Sequence, residues 1–168
     1  MVKSLYSFLV GTVCWLLLAF PGVASDDFDA GSRRFSLVAG SASALNDTYT
    51  VIGLGVGYYP VDGLELGIES NLWLGGDYDI YELSPSVTYV FTQLEAFKPY
   101  VGVLYRETFI EKQENLSAVG GRVGVVIQQG GNVSFRAGVV VVNYQDCQSL
   151  RKDDCTEVTP EFSLGVAF

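Results

Sequence analysis

Residues 64–74 read LELGIESNLWL, and nearly every second side chain is of one kind. Leu64, Leu66, Ile68, Leu72 and Leu74 fall on one side, Glu65, Gly67, Glu69 and Asn71 on the other. A period of two is the mark of a β-strand with one apolar face, because successive side chains leave the pleat on opposite sides. The pattern recurs. Residues 119–128 set Val119, Val123, Val125 and Ile127 against Gly120, Arg122, Gly124 and Gln128. Residues 133–144 set Val133, Phe135, Ala137, Val139 and Val141 against Ser134, Arg136 and Gly138. Residues 156–168 set Val158, Phe162, Leu164, Val166 and Phe168 against Glu157, Thr159, Glu161, Ser163 and Gly165.

Working outward, the alternation predicts eight strands, near 33–43, 48–59, 64–74, 80–91, 99–109, 119–128, 133–144 and 156–168. Beyond residue 25 no segment sustains the i, i+3, i+4, i+7 spacing of a helix. Turn residues punctuate the strands, tightly at Pro60-Val61-Asp62-Gly63 and Gly130-Gly131-Asn132. Pro85 and Pro160 fall inside strands and each removes a ladder donor, so a bulge is expected at both.

Which face is inside decides the class. A soluble barrel hides its apolar face and wets its charges; a membrane barrel turns the apolar face to lipid and fills itself with polar residues. Glycine separates the two. Gly40, Gly53, Gly55, Gly57, Gly67, Gly102, Gly120, Gly124, Gly138 and Gly165 all fall on the polar face, with Gly121 the exception. A wet face gains nothing from glycine, whereas a narrow interior needs small residues beside long ones. The same face carries Glu65, Glu69, Glu82, Glu157 and Glu161 with Arg34, Arg106, Arg122 and Arg136, nearly balanced in a strongly acidic chain. Aromatics gather near both strand ends of the apolar face, Phe35, Tyr58, Tyr89, Phe91, Phe135 and Phe168 at one and Tyr81, Tyr105 and Phe109 at the other. Such girdles mark membrane interfaces. The reading is all-β: an eight-stranded antiparallel up-and-down transmembrane β-barrel with a polar, Gly-rich and Glu/Arg-lined interior. A soluble secreted barrel, with the faces reversed, is the alternative.

Composition removes much chemistry. The 168 residues, 17% of them charged, are of single-domain length. With no histidine the chain lacks the parts for Ser-His-Asp or Cys-His catalysis and for HExxH metal sites. A formal charge of −9 argues against a nucleic-acid partner. Lys3, the apolar run Leu5–Phe20, the Pro21-Gly22 break and Val23-Ala24-Ser25 fit a signal peptide over 1–25, with a retained anchor as the alternative. A short segment, 26–32, then leads into the barrel, 33–168. In an exported chain Cys147 and Cys155, in one polar stretch, read as a disulfide, with two free thiols the alternative.

The C-terminal run TPEFSLGVAF, 159–168, resembles the closing strand of bacterial outer-membrane barrels, and KPYVGV, 98–103, resembles a recurrent segment of the porin-family outer-membrane β-barrel domain. Together with the alternation and the leader, these motifs make the chain similar to the small eight-stranded barrels of the OmpA and OmpX kind. That resemblance implies that Phe162, Leu164, Val166 and Phe168 form the signal read by the barrel-assembly machinery. It also implies contact with outer-membrane lipid and lipopolysaccharide. Even strand number puts both termini in the periplasm. No cofactor or metal is expected, and a monomer is.

Functionally, the nine lumen charges predict a packed ionic plug, since eight strands enclose about the space that side chains can fill. A structural or surface-interaction role follows. The alternative is a narrow channel or transporter for small solutes or apolar molecules, with Trp73, Leu104, Val126, Val140 and Val142 lining a pocket toward the loops. Glu65 with Glu69, or Glu157 with Glu161, imitates a glycosidase pair, but neutralisation by arginine is the simpler account.

Overall fold

The computed structural model describes residues 27–44, 47–75, 80–94, 97–110, 115–128, 132–145 and 155–168. The signal peptide expected over 1–25, Gly130-Gly131 and Cys147 lie outside the described residues. Eight strands follow one another: β1 (Arg33–Ala44), β2 (Asp47–Val61), β3 (Leu64–Leu74), β4 (Ile80–Val90), β5 (Phe97–Ile110), β6 (Leu116–Gln128), β7 (Val133–Tyr144) and β8 (Thr156–Ala167). Each pairs antiparallel with its chain neighbour, and β8 returns to β1 to close the barrel. Closure leaves no full-length sheet edge to be covered.

The polar face is inside. Leu54, Val103 and Val158 are 52%, 64% and 64% exposed, whereas Glu65 and Arg136 are 2% and 1% exposed. Tyr58, Tyr89, Phe91, Phe135 and Phe168 are exposed on the outer face near the end that holds both termini, here the terminal end. Tyr81, Tyr105 and Phe109 are exposed toward the opposite, loop end.

Three details differ from the sequence reading. First, β6 begins at Leu116 rather than near 119, because Leu116 and Ala118 are buried inward and apolar, so the polar/apolar alternation fades there. Second, neither proline makes a bulge. Ile68↔Pro85 and Val139↔Pro160 sit in unshifted ladders. The missing donor of Pro85 falls on the β5 side, where pairing lapses between Leu83↔Glu107 and Ser86↔Leu104 and resumes in the same register. That of Pro160 falls on the β1 side, beyond the last β1–β8 pair. Third, the register shift lies between Tyr58 and Val61, where β2 runs past Pro60 and the turn shrinks to Asp62-Gly63. Gly63 takes φ 74° there, a conformation that costs other residues more.

The β1–β8 seam is short. It runs only from Arg34↔Ala167 to Val38↔Ser163, although β1 continues to Ala44 and β8 starts at Thr156. Both strands are therefore unpaired with each other over the loop half of the wall.

Candidate functional site

The lumen is layered, starting from a stopper at the terminal end. Residues 27–32 turn back under the barrel, held by Gly63 N–H to the Phe28 carbonyl (2.8 Å), Gly31 N–H to the Tyr59 carbonyl (2.7 Å) and Ala30 N–H to Asp62 Oδ1 (2.9 Å). Phe28 is buried among Tyr59, Val90, Tyr100 and Val126, edge-on to Tyr59 with ring centroids 5.8 Å apart. Lys98 Nζ lies 5.4 Å from the Phe28 ring centroid, and Gln128 Nε2 donates to Asp27 Oδ2 at 3.1 Å. Phe28, a lone apolar residue in an acidic stretch, was the one sequence signal of this stopper. It also corrects the place of Val126, which belongs to this end and not to a pocket near the loops.

Above the stopper sits Glu65, at the start of β3. Arg34 of β1 grips it as a fork, Nε to Oε2 at 3.0 Å and Nη2 to Oε1 at 2.9 Å. Arg136 of β7 reaches it with Nη2 to Oε2 at 2.6 Å and Nη1 to Oε1 at 3.2 Å. The Tyr59 hydroxyl donates to Oε2 and accepts from Arg136 Nη2 at 3.0 Å. Two charge-assisted forks on one carboxylate are the strong form of such pairing. Glycine makes room for it: Gly124 and Gly138 face each other across β6–β7, and a Cβ on Gly138 would stand 2.3 Å from the Tyr100 hydroxyl oxygen. Tyr100 crosses this pair of glycines to donate to Glu161 Oε2 at 3.1 Å, its ring centroid 5.4 Å from Arg136 Cζ.

The middle layer is looser. Arg122 reaches Glu161 at 3.3 Å and Glu69 at 3.6 Å, and Arg106 reaches Glu82 at 3.5 Å. Asn71 Nδ2 donates to Glu69 at 3.3 Å and to Glu82 at 3.4 Å. These residues surround a cavity of about 60 Å³. Toward the loops the lumen ends in two apolar clusters, one of Tyr49, Trp73, Ile80, Ile110 and Leu116, the other of Leu104, Ala118, Val140 and Val142.

Of the nine charges singled out in the sequence, eight are thus brought into ion pairs in two separate groups. Glu157 accepts from the Tyr144 hydroxyl at 2.9 Å. Sequence reasoning missed the hydroxyl and amide partners. Tyr100 was findable, being in phase with Gly102 and Arg106 on β5, but Tyr59 was hidden by the irregular end of β2. Phe162, Leu164, Val166 and Phe168 alternate on the outer face of the closing strand, and Phe162 stacks on Phe135 with centroids 6.4 Å apart.

No family model matches the chain, and no curated protein matches it in sequence. Solved structures do. The N-terminal β-barrel domain of Pseudomonas aeruginosa OprF superposes with a TM-score of 0.60 at 16% identity, over 83% of this chain and 98% of that one. Neisserial surface protein A gives 0.53 at 18% identity, over 81% and 94%. Outer membrane protein OprG of Pseudomonas aeruginosa gives 0.55 at 15% identity, over 83% and 97%. This is the fold of the eight-stranded outer-membrane β-barrels.

In an outer-membrane barrel fold the interior charges have little water to dissolve them, so their partners decide what they can do. Glu65 and Glu69 are turned to different arginines, and so do not face each other as an acid–base pair. Glu161 is turned to Arg122 while Glu157 meets Tyr144. The arrangement holds and orients charge.

Proposed function

We propose that the chain is an integral outer-membrane barrel with a structural or surface-interaction role and a lumen closed along its axis by its own side chains. The observation that carries this reading is the inversion of the barrel, with apolar residues and aromatic rows outside and a buried ionic core inside. Both termini face the periplasm and the connections after β1, β3, β5 and β7 face outward, the last of them tied by a Cys147–Cys155 disulfide. The leader over 1–25 brings the chain to export, and the alternating closing strand ending in Phe168 engages the assembly machinery. Lipid and lipopolysaccharide are its surroundings, and the working unit is a monomer.

Axial passage of solutes is disfavoured by the Phe28 stopper and by the Glu65 forks stacked above it. Planar-bilayer recordings of the purified barrel are expected to show no conductance steps, and steady unit currents would replace the structural reading with a channel. Localisation is tested by separating inner from outer membranes and running the outer fraction on a gel, unboiled and boiled. A band that shifts on heating supports a closed membrane barrel. A soluble protein without a shift removes this reading.

A further inference from the structure

The cavity in the middle layer is bounded on one side by the unpaired stretch of wall. Its lining includes Val38, Ala39 and Gly40 of β1 and Thr159, Pro160 and Phe162 of β8. These residues lie at or beyond the last β1–β8 pair, Val38↔Ser163. A Cβ placed on Gly40 would meet nothing within 4 Å, although the chain's alternation points it inward. Pro160 has no N–H with which to extend the seam. The cavity therefore opens sideways, between two strands, at the level of the apolar outer belt.

Its charge is one-sided. Glu69, Glu82 and Glu161 line it against Arg106 and Arg122, a formal excess of one carboxylate. The Glu65 group below has the opposite excess, two guanidiniums to one carboxylate. Among the described residues, Glu82, 2% exposed, has an oxygen, Oε1, with no partner nearer than Arg106 at 3.5 Å. A buried carboxylate held only at these long distances is under-satisfied, and a ligand that brings donors and positive charge strengthens its pairing. At about 60 Å³ the space takes a small head and no tail. The seam supplies surroundings for the tail: small and apolar residues that continue into the outer belt.

We propose that the β1–β8 seam admits the primary ammonium head of a single-chain membrane amphiphile from the bilayer into the cavity, its alkyl tail remaining at the outer wall. This rests on the membrane-barrel reading above. Trp73 lines the cavity and reports on it. The chain has two tryptophans, so a Trp15→Phe substitution in the full chain leaves Trp73 as the sole one.

In phosphatidylcholine nanodiscs, octylamine is expected to give a saturable shift of Trp73 emission that octanol and octanoate do not match at equal bilayer concentration. Glu69→Gln removes the excess charge at the least buried of the three carboxylates, and Gly40→Phe places a ring in the mouth of the seam. Each is expected to weaken the octylamine response at least about tenfold, the scale of one charge-assisted bond. Equal responses to the three probes, no saturable response, or an unchanged response in both variants would overturn the proposal. The same samples are run unboiled and boiled. A heat-shifted band with no specific octylamine response overturns the lateral site alone, while a parent protein without the shift overturns the membrane-barrel reading beneath it.

Discussion

Two ionic groups occupy the same lumen and are made of the same two residue types, yet they are built differently. Around Glu65 the contacts are short, bidentate and completed by the Tyr59 hydroxyl. Around Arg122 and Arg106 they lengthen to 3.3–3.6 Å and border open space. The wall explains the difference. At the terminal end every strand is paired to both neighbours and Phe28 excludes water from below, so side chains close on one another. At mid-height the β1–β8 ladder has ended, and the charges are arranged around a gap. Burial alone does not make an ion pair tight; the enclosing backbone does.

The most severe way to test this contrast is Glu65→Gln. It leaves Arg34 and Arg136 facing each other without a counter-charge and is expected to cost about 3–5 kcal/mol, read by urea unfolding in lipid vesicles. Glu69→Gln in the same assay should cost less, about 1–3 kcal/mol, because Arg122 keeps Glu161 as a counter-charge. Equal losses at the two glutamates would break the comparison.

Arg122→Ala comes next. It strands Glu69 and Glu161 but leaves them beside a cavity that water can enter, so the loss should stay below about 3 kcal/mol and appear as a lower unfolding temperature in micelles. An unchanged temperature would mean that the middle layer carries no stability. Gly138→Ala then probes packing rather than charge. Its methyl would press on the Tyr100 hydroxyl and the Val123 carbonyl, 2.3 and 2.5 Å from the new carbon, for about 1–3 kcal/mol. The smallest effect belongs to Gly40→Ala, within about 0.5 kcal/mol by the same unfolding measurement, because nothing stands near its Cβ. A large loss there would mean that the seam is closed.

Most of the barrel was legible because period-two alternation is a local property, readable in a stretch such as 64–74 without knowing any partner. The inward placement of Glu65, Arg122 and Arg136 followed from parity alone. Which arginine meets which glutamate did not, since Glu65 and Arg136 are far apart in sequence and meet across the lumen. The prolines misled for a related reason. A missing donor forces a bulge only where a partner strand needs that donor, and at Pro160 the partner ladder has already ended. Phe28 was passed over because a single apolar residue before the first strand carries no period.

The short seam also bears on how the chain reaches its closed form. Seven of the eight ladders join strands that are consecutive in the chain, so each can form as a hairpin with little loop to close. The eighth must bring Phe168 back to Arg33, where the two backbones exchange N–H···O bonds of 3.1 and 2.9 Å. That step closes nearly the whole chain into a loop and gains the fewest ladder pairs in return. It is expected to form last and open first, so exchange of the β1 and β8 amides that face this seam should outrun exchange in the other ladders.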